Sequence, residues 1–280
     1  MAGIRTGGWA ARALLGAAAL VLAGTETAEA VSVSPTALYI DSRTRTGVLT
    51  LYNPGNLPEE ITIDFAFGYP QTDSAGNLAV AVTREPAPGE PSAMEWMRAF
   101  PRRLILQPGQ RQVVRVMVEP PAGIPDGEYW ARILVTSRGG QAPIEETQGD
   151  LRLQLNVETT LVMAANYRKG PVSTGVRVAG SRAWSTPEGV YAELDLERTG
   201  NAAFLGRMRA DLLDARGQVV GTVWDDLAVY RTARRRHLFP LPEGTQRPLS
   251  VRISIDTERE DLPVGGALPA APVSLGIEVP

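Results

Sequence analysis

The chain has 280 residues and a formal net charge of −3 at pH 7, with 28 Lys and Arg against 31 Asp and Glu. Nucleic acid is therefore a poor partner, because binding to phosphate requires a basic surface. The chain has no cysteine and one histidine, His237, which excludes thiol catalysis and leaves little room for zinc or Ser-His-Asp chemistry, so we expect no cofactor, no metal and no enzymatic activity.

Residues 1–30 have the order of a secretory signal peptide. Two arginines precede an apolar run at 13–23, and Ala-Glu-Ala at 28–30 supplies small residues for cleavage. The apolar run is too short to span a bilayer comfortably. We predict an exported protein that is cleaved after about Ala30 and has no membrane span afterwards, with an uncleaved N-terminal anchor as the alternative.

From residue 31 onward, apolar and polar residues alternate with a period of two, and Gly, Pro and Asn interrupt the alternation. This pattern predicts antiparallel β-strands joined by turns. Residues 31–165 contain about seven such segments, the number expected of an immunoglobulin-like sandwich. We predict that RRLILQPGQ and RQVVRVMVEPP form a pair through a turn at Pro108-Gly109, and that GEYWARILVTS is the next strand.

The segment DLRLQLNVETTLVM, which closes this first half, is the most informative one. Its odd-numbered positions from 151 to 163 are apolar except for one Thr, and its even-numbered positions up to 160 are polar. It is either a normal edge strand that covers its own core or a strand that is offered to a partner. Its length favours the second interpretation, since strands average about five or six residues. The preceding polar residues 137–150 are predicted to be a solvated loop, or a loop that orders when a partner docks.

The second half shows the same alternation and predicts a second, smaller β-sandwich at 166–257. The tail at 258–280 contains four Pro and three Gly, and we expect it to be poorly ordered. The basic run at 231–237 is predicted to be a solvated strand face, with an acidic partner surface as the alternative. The predicted fold class is therefore all-β, with two immunoglobulin-like sandwiches.

Several of these segments resemble a known family. FPRRLILQPGQRQVVRVMV with IPDGEYWARILVTS resembles the first domain of PapD-like periplasmic pilus-assembly chaperones, and LDLERTGNAAFLGRMRADLLDARGQVVG with DDLAVY resembles the second domain of their non-classical branch. The resemblance covers residues 31–257 and implies two immunoglobulin-like domains in a boomerang arrangement, located in the periplasm. It also implies donor-strand complementation, in which a strand is lent to a subunit that lacks one. The partners would be pilin-like subunits with an incomplete immunoglobulin fold and an outer-membrane usher.

The resemblance also implies site residues. By position, the lent strand is 151–163, and its subunit-binding residues would be Leu151, Leu153, Leu155 and Val157. Classical members hold the subunit's terminal carboxylate with basic residues where this chain has Pro35 and Val162. Another arginine would have to bind the subunit's carboxylate in this chain. Arg103 and Arg132 are the candidates, because Arg binds carboxylates in a bidentate manner. The alternative function is a secreted structural or adhesive β-sandwich module of a cell-envelope assembly.

Overall fold

A computed structural model describes residues 31–139, 144–148, 151–155 and 157–280, and the predicted signal peptide lies outside them. The described chain forms two β-sandwiches and contains a short 3₁₀ helix at Met94–Trp96. The strands before residue 170 are β1 (Ser32–Ser34), β2 (Ala37–Asp41), β3 (Thr46–Tyr52), β4 (Glu59–Thr72), β5 (Leu78–Thr83), β6 (Met97–Phe100), β7 (Arg103–Leu106), β8 (Arg111–Val118), β9 (Gly127–Arg138), β10 (Ile144–Gln148), β11 (Leu151–Leu155) and β12 (Glu158–Lys169). The later strands are β13 (Thr174–Thr186), β14 (Gly189–Gly200), β15 (Phe204–Leu213), β16 (Val219–Val229), β17 (Thr232–Phe239), β18 (Leu249–Asp256) and β19 (Val273–Val279).

The first sandwich packs a sheet of order β1-β3-β8-β6 against a sheet of order β2-β12-β9-β4-β5, with β7 beside β4. Alternation decides which side chains enter the core. In β8, Val114, Val116 and Val118 are buried, whereas the residues between them are exposed. Removing one such side chain from water contributes about 1.5–3 kcal/mol. Every second residue of the strand therefore stabilises the sandwich.

The turn at Pro108-Gly109 carries the chain from one sheet to the other. β7 pairs with β4, and β8 pairs with β3 and β6, so the prediction that these two segments pair with each other is wrong. A sharp turn between alternating segments is compatible both with a hairpin and with a crossing between facing sheets. The amide of Gly109 donates to the carbonyl of Asn53 at 2.8 Å, and the buried Asn53 side chain donates to the carbonyl of Leu106 at 3.0 Å. These bonds fix the crossing.

The structure has twelve strands before residue 170, against the seven predicted. Part of the difference arises because two segments change sheets partway. β1 belongs to one sheet and β2 to the other, and Pro35 lies at the break between them. The same relation holds for β6 and β7, which are separated at Pro101. Because proline has no N–H for the ladder, it interrupts pairing at such points.

The second sandwich packs a sheet of order β13-β14-β17 against a sheet of order β16-β15-β18-β19. β19 pairs antiparallel with β18 along its whole length, and its Ile277 and Val279 are buried in the second core. The expectation of a poorly ordered tail is therefore wrong for residues 273–279, because their alternating apolar side chains cover the core. β12 runs past the predicted domain boundary at residue 165 and ends at Lys169.

Candidate functional site

One half of β12 lacks a second neighbouring strand. β12 pairs with β9 along its whole length, from Glu158 to Lys169. It pairs with β2 only from Ala164 to Arg168. Among the described residues, no strand lies on the other side of Glu158–Met163, which we call the free edge. The main-chain N–H and C=O groups that point outward there can pair with a strand from another chain.

The side chains of the free edge divide between the core and solvent. Met163 is buried and Leu161 packs partly against the first core, whereas Val162 on the opposite face is 48% exposed. The hydroxyls of Thr160 and Thr136 share a hydrogen bond of 3.0 Å. Some of the alternating apolar side chains therefore belong to the protein's own core. The free edge would bind a partner chiefly through its main-chain groups.

The predicted lent strand is divided into two strands. β11 pairs antiparallel with β10, and β12 begins only at Glu158, so the interpretation of 151–163 as one continuous strand is wrong. The prediction of a loop at 137–150 is also wrong for residues 144–148, which form β10 and fold back on β11. Of the predicted subunit-binding residues, Leu151, Leu153 and Leu155 belong to β11, and Val157 lies exposed between the two strands.

The structure does not bring Arg103 and Arg132 together. Strand register places Arg103 of β7 in a row that crosses β4 and β9 and reaches Thr160 of β12. Arg132 of β9 lies directly opposite Ala164, the first residue of β12 that β2 covers. The two arginines therefore lie at different levels of β12. Arg103 is level with the free edge but three strands away from it, and Arg132 is on the neighbouring strand where that edge ends.

The two arginines also differ in exposure. Arg103 is exposed and lines a polar groove of about 450 Å³. That groove also contains Glu60, Thr62, Asp64, Arg84, Thr136, Arg138 and Glu158. Arg132 is 6% exposed, and its Nε donates to the carbonyl of Gly68 at 2.9 Å. Its Nη2 has no hydrogen-bond partner among the described atoms, so the guanidinium retains an unused donor.

A buried carboxylate joins the two sandwiches. Glu128 of β9 accepts hydrogen bonds at Oε1 from the indole of Trp130 at 3.1 Å and from the amide of Ala203 in the second sandwich at 3.1 Å. Arg168 of β12 donates from Nε to Oε2 of Glu128 at 2.7 Å and from Nη2 to the carbonyl of Gly266 at 2.7 Å. Because a buried charge must be paired and hydrogen-bonded, this network fixes the two sandwiches relative to each other.

An aromatic cluster surrounds this network. Trp130 and Tyr230 pack edge to face with ring centroids 4.8 Å apart, and Tyr69 stacks on Tyr230 at 5.8 Å. The Arg132 guanidinium lies 5.6 Å from the Tyr230 ring. Burial raises the pKa of the Tyr230 hydroxyl above its ordinary value, so this hydroxyl stays protonated beside the guanidinium. Trp130 therefore serves the contact between the sandwiches.

Glu128, Arg168 and Tyr230 carry no sequence pattern that predicts a functional role. Glu128 and Arg168 are charged residues at the ends of two apolar strands that become cross-strand partners. That these two residues form a pair can be recognised only once the register of β9 and β12 is known. Tyr230 is the last residue of the DDLAVY segment on which the resemblance rests, but the sequence does not show which surface it meets.

The basic run at 231–237 is paired within the protein. Arg234 binds Asp195 with Nε–Oδ1 at 2.7 Å, and Arg236 binds Glu193 with Nη2–Oε2 at 2.5 Å. Arg235 and His237 both bind Asp225. The alternative of an acidic partner surface for this run is not favoured, because carboxylates of the same chain already occupy these cations.

In the part of the chain that the structure describes, no group of His, Asp or Glu side chains is arranged to hold a metal ion. No helix there is long and apolar enough to cross a membrane.

No family model matches the chain, and no curated protein matches it at a significant level. Among solved structures, a chain from the complex of the Salmonella enterica SafA pilin with the SafB chaperone is 15% identical, with 88% of this chain and 95% of that chain covered and a TM-score of 0.43. The Pseudomonas aeruginosa CupB2 chaperone is 10% identical, with 89% and 100% covered and a TM-score of 0.43. A chain from the Acinetobacter baumannii CsuC–CsuE chaperone–tip adhesion subunit complex is 10% identical, with 90% and 99% covered and a TM-score of 0.43. These identities are too low to assign the chain to a family.

Proposed function

We propose that the chain is a periplasmic chaperone that binds a pilus subunit with an incomplete immunoglobulin fold and lends it a strand. The observation that carries this proposal is the free edge at Glu158–Met163, which has β9 on one side and no described strand on the other. Natural edge strands are usually protected by charged residues or proline. This edge contains one charged residue, Glu158, and that residue is already paired with Arg138. Its outer side is therefore suited to another strand.

Pairing along the free edge would supply affinity without any cofactor. A docked strand would form about six main-chain hydrogen bonds with it, each worth about 1 kcal/mol net. β11 would extend the contact. Burial of Leu151, Leu153, Leu155 and Val157 in a subunit's groove would add about 1.5–3 kcal/mol for each side chain, before the cost of ordering both partners is subtracted.

The subunit's terminal carboxylate would be anchored by Arg132 rather than by Arg103. Arg132 lies opposite Ala164, where the free edge ends, and its Nη2 lacks a partner among the described atoms. A carboxylate placed against this donor would satisfy it with a charge-assisted hydrogen bond. Arg103 already lies among carboxylates in its exposed groove, and these compete with an incoming carboxylate for its guanidinium.

The proposal is tested by recovery of a subunit with a tagged chain from periplasmic extracts. We expect a one-to-one complex with a small β-rich protein. The pair Thr160→Lys with Val162→Lys blocks the free edge at exposed positions and should leave the protein folded while recovery falls at least tenfold. Val80→Lys with Val82→Lys on the exposed edge strand β5 is the matched control, and it should leave recovery unchanged. Unchanged recovery with the β12 pair would contradict the proposal.

The contribution of β11 is tested separately. Leu153→Asp with Leu155→Asp should leave the isolated protein folded and reduce recovery of the subunit. Global unfolding of this variant would show that the two leucines belong to the protein's own core, which is the edge-strand alternative. For the anchor, we expect Arg132→Gln to weaken subunit binding and Arg103→Gln to leave it unchanged. The reverse order would assign the anchor to Arg103.

A further inference from the structure

A cavity opens at the side of the first sandwich, where residues of β4, β6 and the 3₁₀ helix line it. Its volume is about 400 Å³. Phe65, Met94, Met97 and Ala99 form its apolar part, and Met97 and Ala99 belong to the first core. A cavity of this size in a protein interior would be costly, whereas one that opens to the surface can accept a large apolar side chain from outside.

Phe100 extends this apolar surface onto the outer face of the neighbouring sheet. Its side chain is 57% exposed, and it lines both the cavity and a shallow surface pocket formed with Val113, Arg115 and Met117. An exposed aromatic residue beside an open cavity, continued by exposed aliphatic residues, is typical of a surface that a partner covers. The core of the sandwich does not explain these side chains, because they point away from it.

The rim of the cavity is positively charged. Arg84, Arg98 and Arg102 line its opening together with one carboxylate, Asp64. Asp64 is shared by Arg102 and by Arg84, the latter at 3.6 Å. Arg98 donates to the main-chain carbonyl of Met97 at 2.8 Å, and no described carboxylate pairs with it.

Arg115 on the shallow pocket also has no paired carboxylate among the described residues. This excess of positive charge is local, because the whole chain has a net charge of −3. It also contrasts with the arginines of β17, which are paired with carboxylates of the same chain. The site has an apolar centre and a basic rim. It is therefore complementary to an apolar side chain with negatively charged groups on either side of it.

We propose that this cavity and Phe100 form a docking site for a protein segment with one large apolar anchor residue flanked by Asp or Glu. The cavity receives the anchor side chain, and Arg98 and Arg115, which have no paired carboxylate among the described residues, bind the flanking carboxylates. A single concave site favours a discrete side chain, whereas a bilayer is bound by an amphipathic face that inserts into the interface. This site does not depend on the free edge, so the chain can hold a subunit and this second partner at the same time.

The experiment is an NMR titration of the mature chain with short peptides. The probe is acetyl-Glu-Glu-Phe-Glu-Glu-amide, and the controls replace its Phe by Ser or all its Glu by Lys. We expect the Phe-Glu peptide to shift the amide signals of residues 94–102 and 113–117, with a Kd in the millimolar range or below. Both control peptides should bind at least about tenfold more weakly, because each lacks one half of the complementarity.

Substitutions locate the site. Phe100→Ser and Arg98→Gln should each weaken binding of the Phe-Glu peptide by about tenfold. The matched controls lie in the second sandwich. Trp224 is 59% exposed and lies beside Arg209, and Arg216 is exposed in a turn, so Trp224→Ser and Arg216→Gln should leave binding unchanged. Thr160→Lys with Val162→Lys should also leave it unchanged, which separates this site from the free edge.

Three results would overturn the proposal. The first is that these amide signals do not shift at millimolar Phe-Glu peptide. The second is equal binding of the Ser and Phe peptides, which would show a purely electrostatic contact. The third is stronger perturbation of the same signals by vesicles of anionic phospholipid than by the peptide, which would assign the surface to a membrane.

Discussion

The ladder between β9 and β12 carries an ion pair at each end, and the two pairs have opposite surroundings. At one end, the side chains of Glu128 and Arg168 are 0% and 11% exposed, and they meet the second sandwich. At the other end, the side chains of Arg138 and Glu158 are 65% and 46% exposed. β12 therefore has a buried end that joins the sandwiches and an exposed end whose edge stays free. We infer that stability is concentrated at the first end and binding at the second.

The largest effect is expected from Glu128→Ala. This substitution leaves the Arg168 charge buried without its partner and removes the acceptor of several hydrogen bonds. It should lower the free energy of unfolding by about 3–5 kcal/mol in urea titrations. Glu158→Ala, the matched substitution at the exposed end of the same ladder, should change it by no more than about 0.5 kcal/mol. Equal losses at the two ends would break the comparison.

Two neighbouring residues of β12 sharpen the same comparison. Met163 is buried in the first core, and Val162 points to solvent. Met163→Ala should lower the free energy of unfolding by about 2–3 kcal/mol, because it removes buried apolar surface and leaves a cavity. Val162→Ala should change it by less than about 0.5 kcal/mol. A large loss for Val162→Ala would mean that the exposed face of the free edge is covered within the protein itself.

Asp225 in the second sandwich provides an ion pair of intermediate exposure. Burial alone would raise the pKa of this carboxyl, but hydrogen bonds from His237 and Arg235 outweigh burial and hold the pKa below its ordinary value. A lowered pKa in the folded state stabilises the protein above the pKa of the unfolded chain, about 3.9. That stabilisation is lost as the pH falls through the folded-state pKa.

The smallest of the expected effects is the contribution of Asp225 to the loss of stability in acid. The free energy of unfolding of the native chain should fall as the pH drops below about 4, and Asp225→Asn should lose less over the same interval. Urea titrations at a series of pH values measure both. Asp226→Asn, at the next position of the same strand, is the control and should keep the native pH dependence. An identical acid response of Asp225→Asn and the native chain would show that this pair does not contribute.

The sequence predicted the class of fold because alternation with a period of two is a local property. It did not predict which sheet each strand joins. The segments on either side of Pro108-Gly109 have the alternation of a hairpin, yet β7 and β8 belong to facing sheets. Strand β19 was also not predicted, because the Pro and Gly content of the tail suggested poor order. Its pairing with β18 is a contact with a strand distant in sequence, which composition does not reveal.

The candidate site was predicted in part. The segment around 151–163 was identified from its apolar alternation, and its second half does form the free edge. The alternation did not show that Met163 and Leu161 already serve the protein's own core, nor that β10 folds back on β11. The buried network of Glu128 and Arg168 depends on the register of two strands about 40 residues apart, which no local pattern encodes.

Hydrogen exchange along β12, with and without the recovered subunit, tests the central claim most directly. In the free protein, the outward-pointing amides of Glu158–Met163 should exchange rapidly, and those of Ala164–Arg168 should be protected by β2 and β9. Binding of the subunit should slow exchange in the first group at least a hundredfold and leave the second group unchanged. Rapid exchange at Glu158–Met163 in the complex would contradict the account, because the subunit would then be held without the free edge.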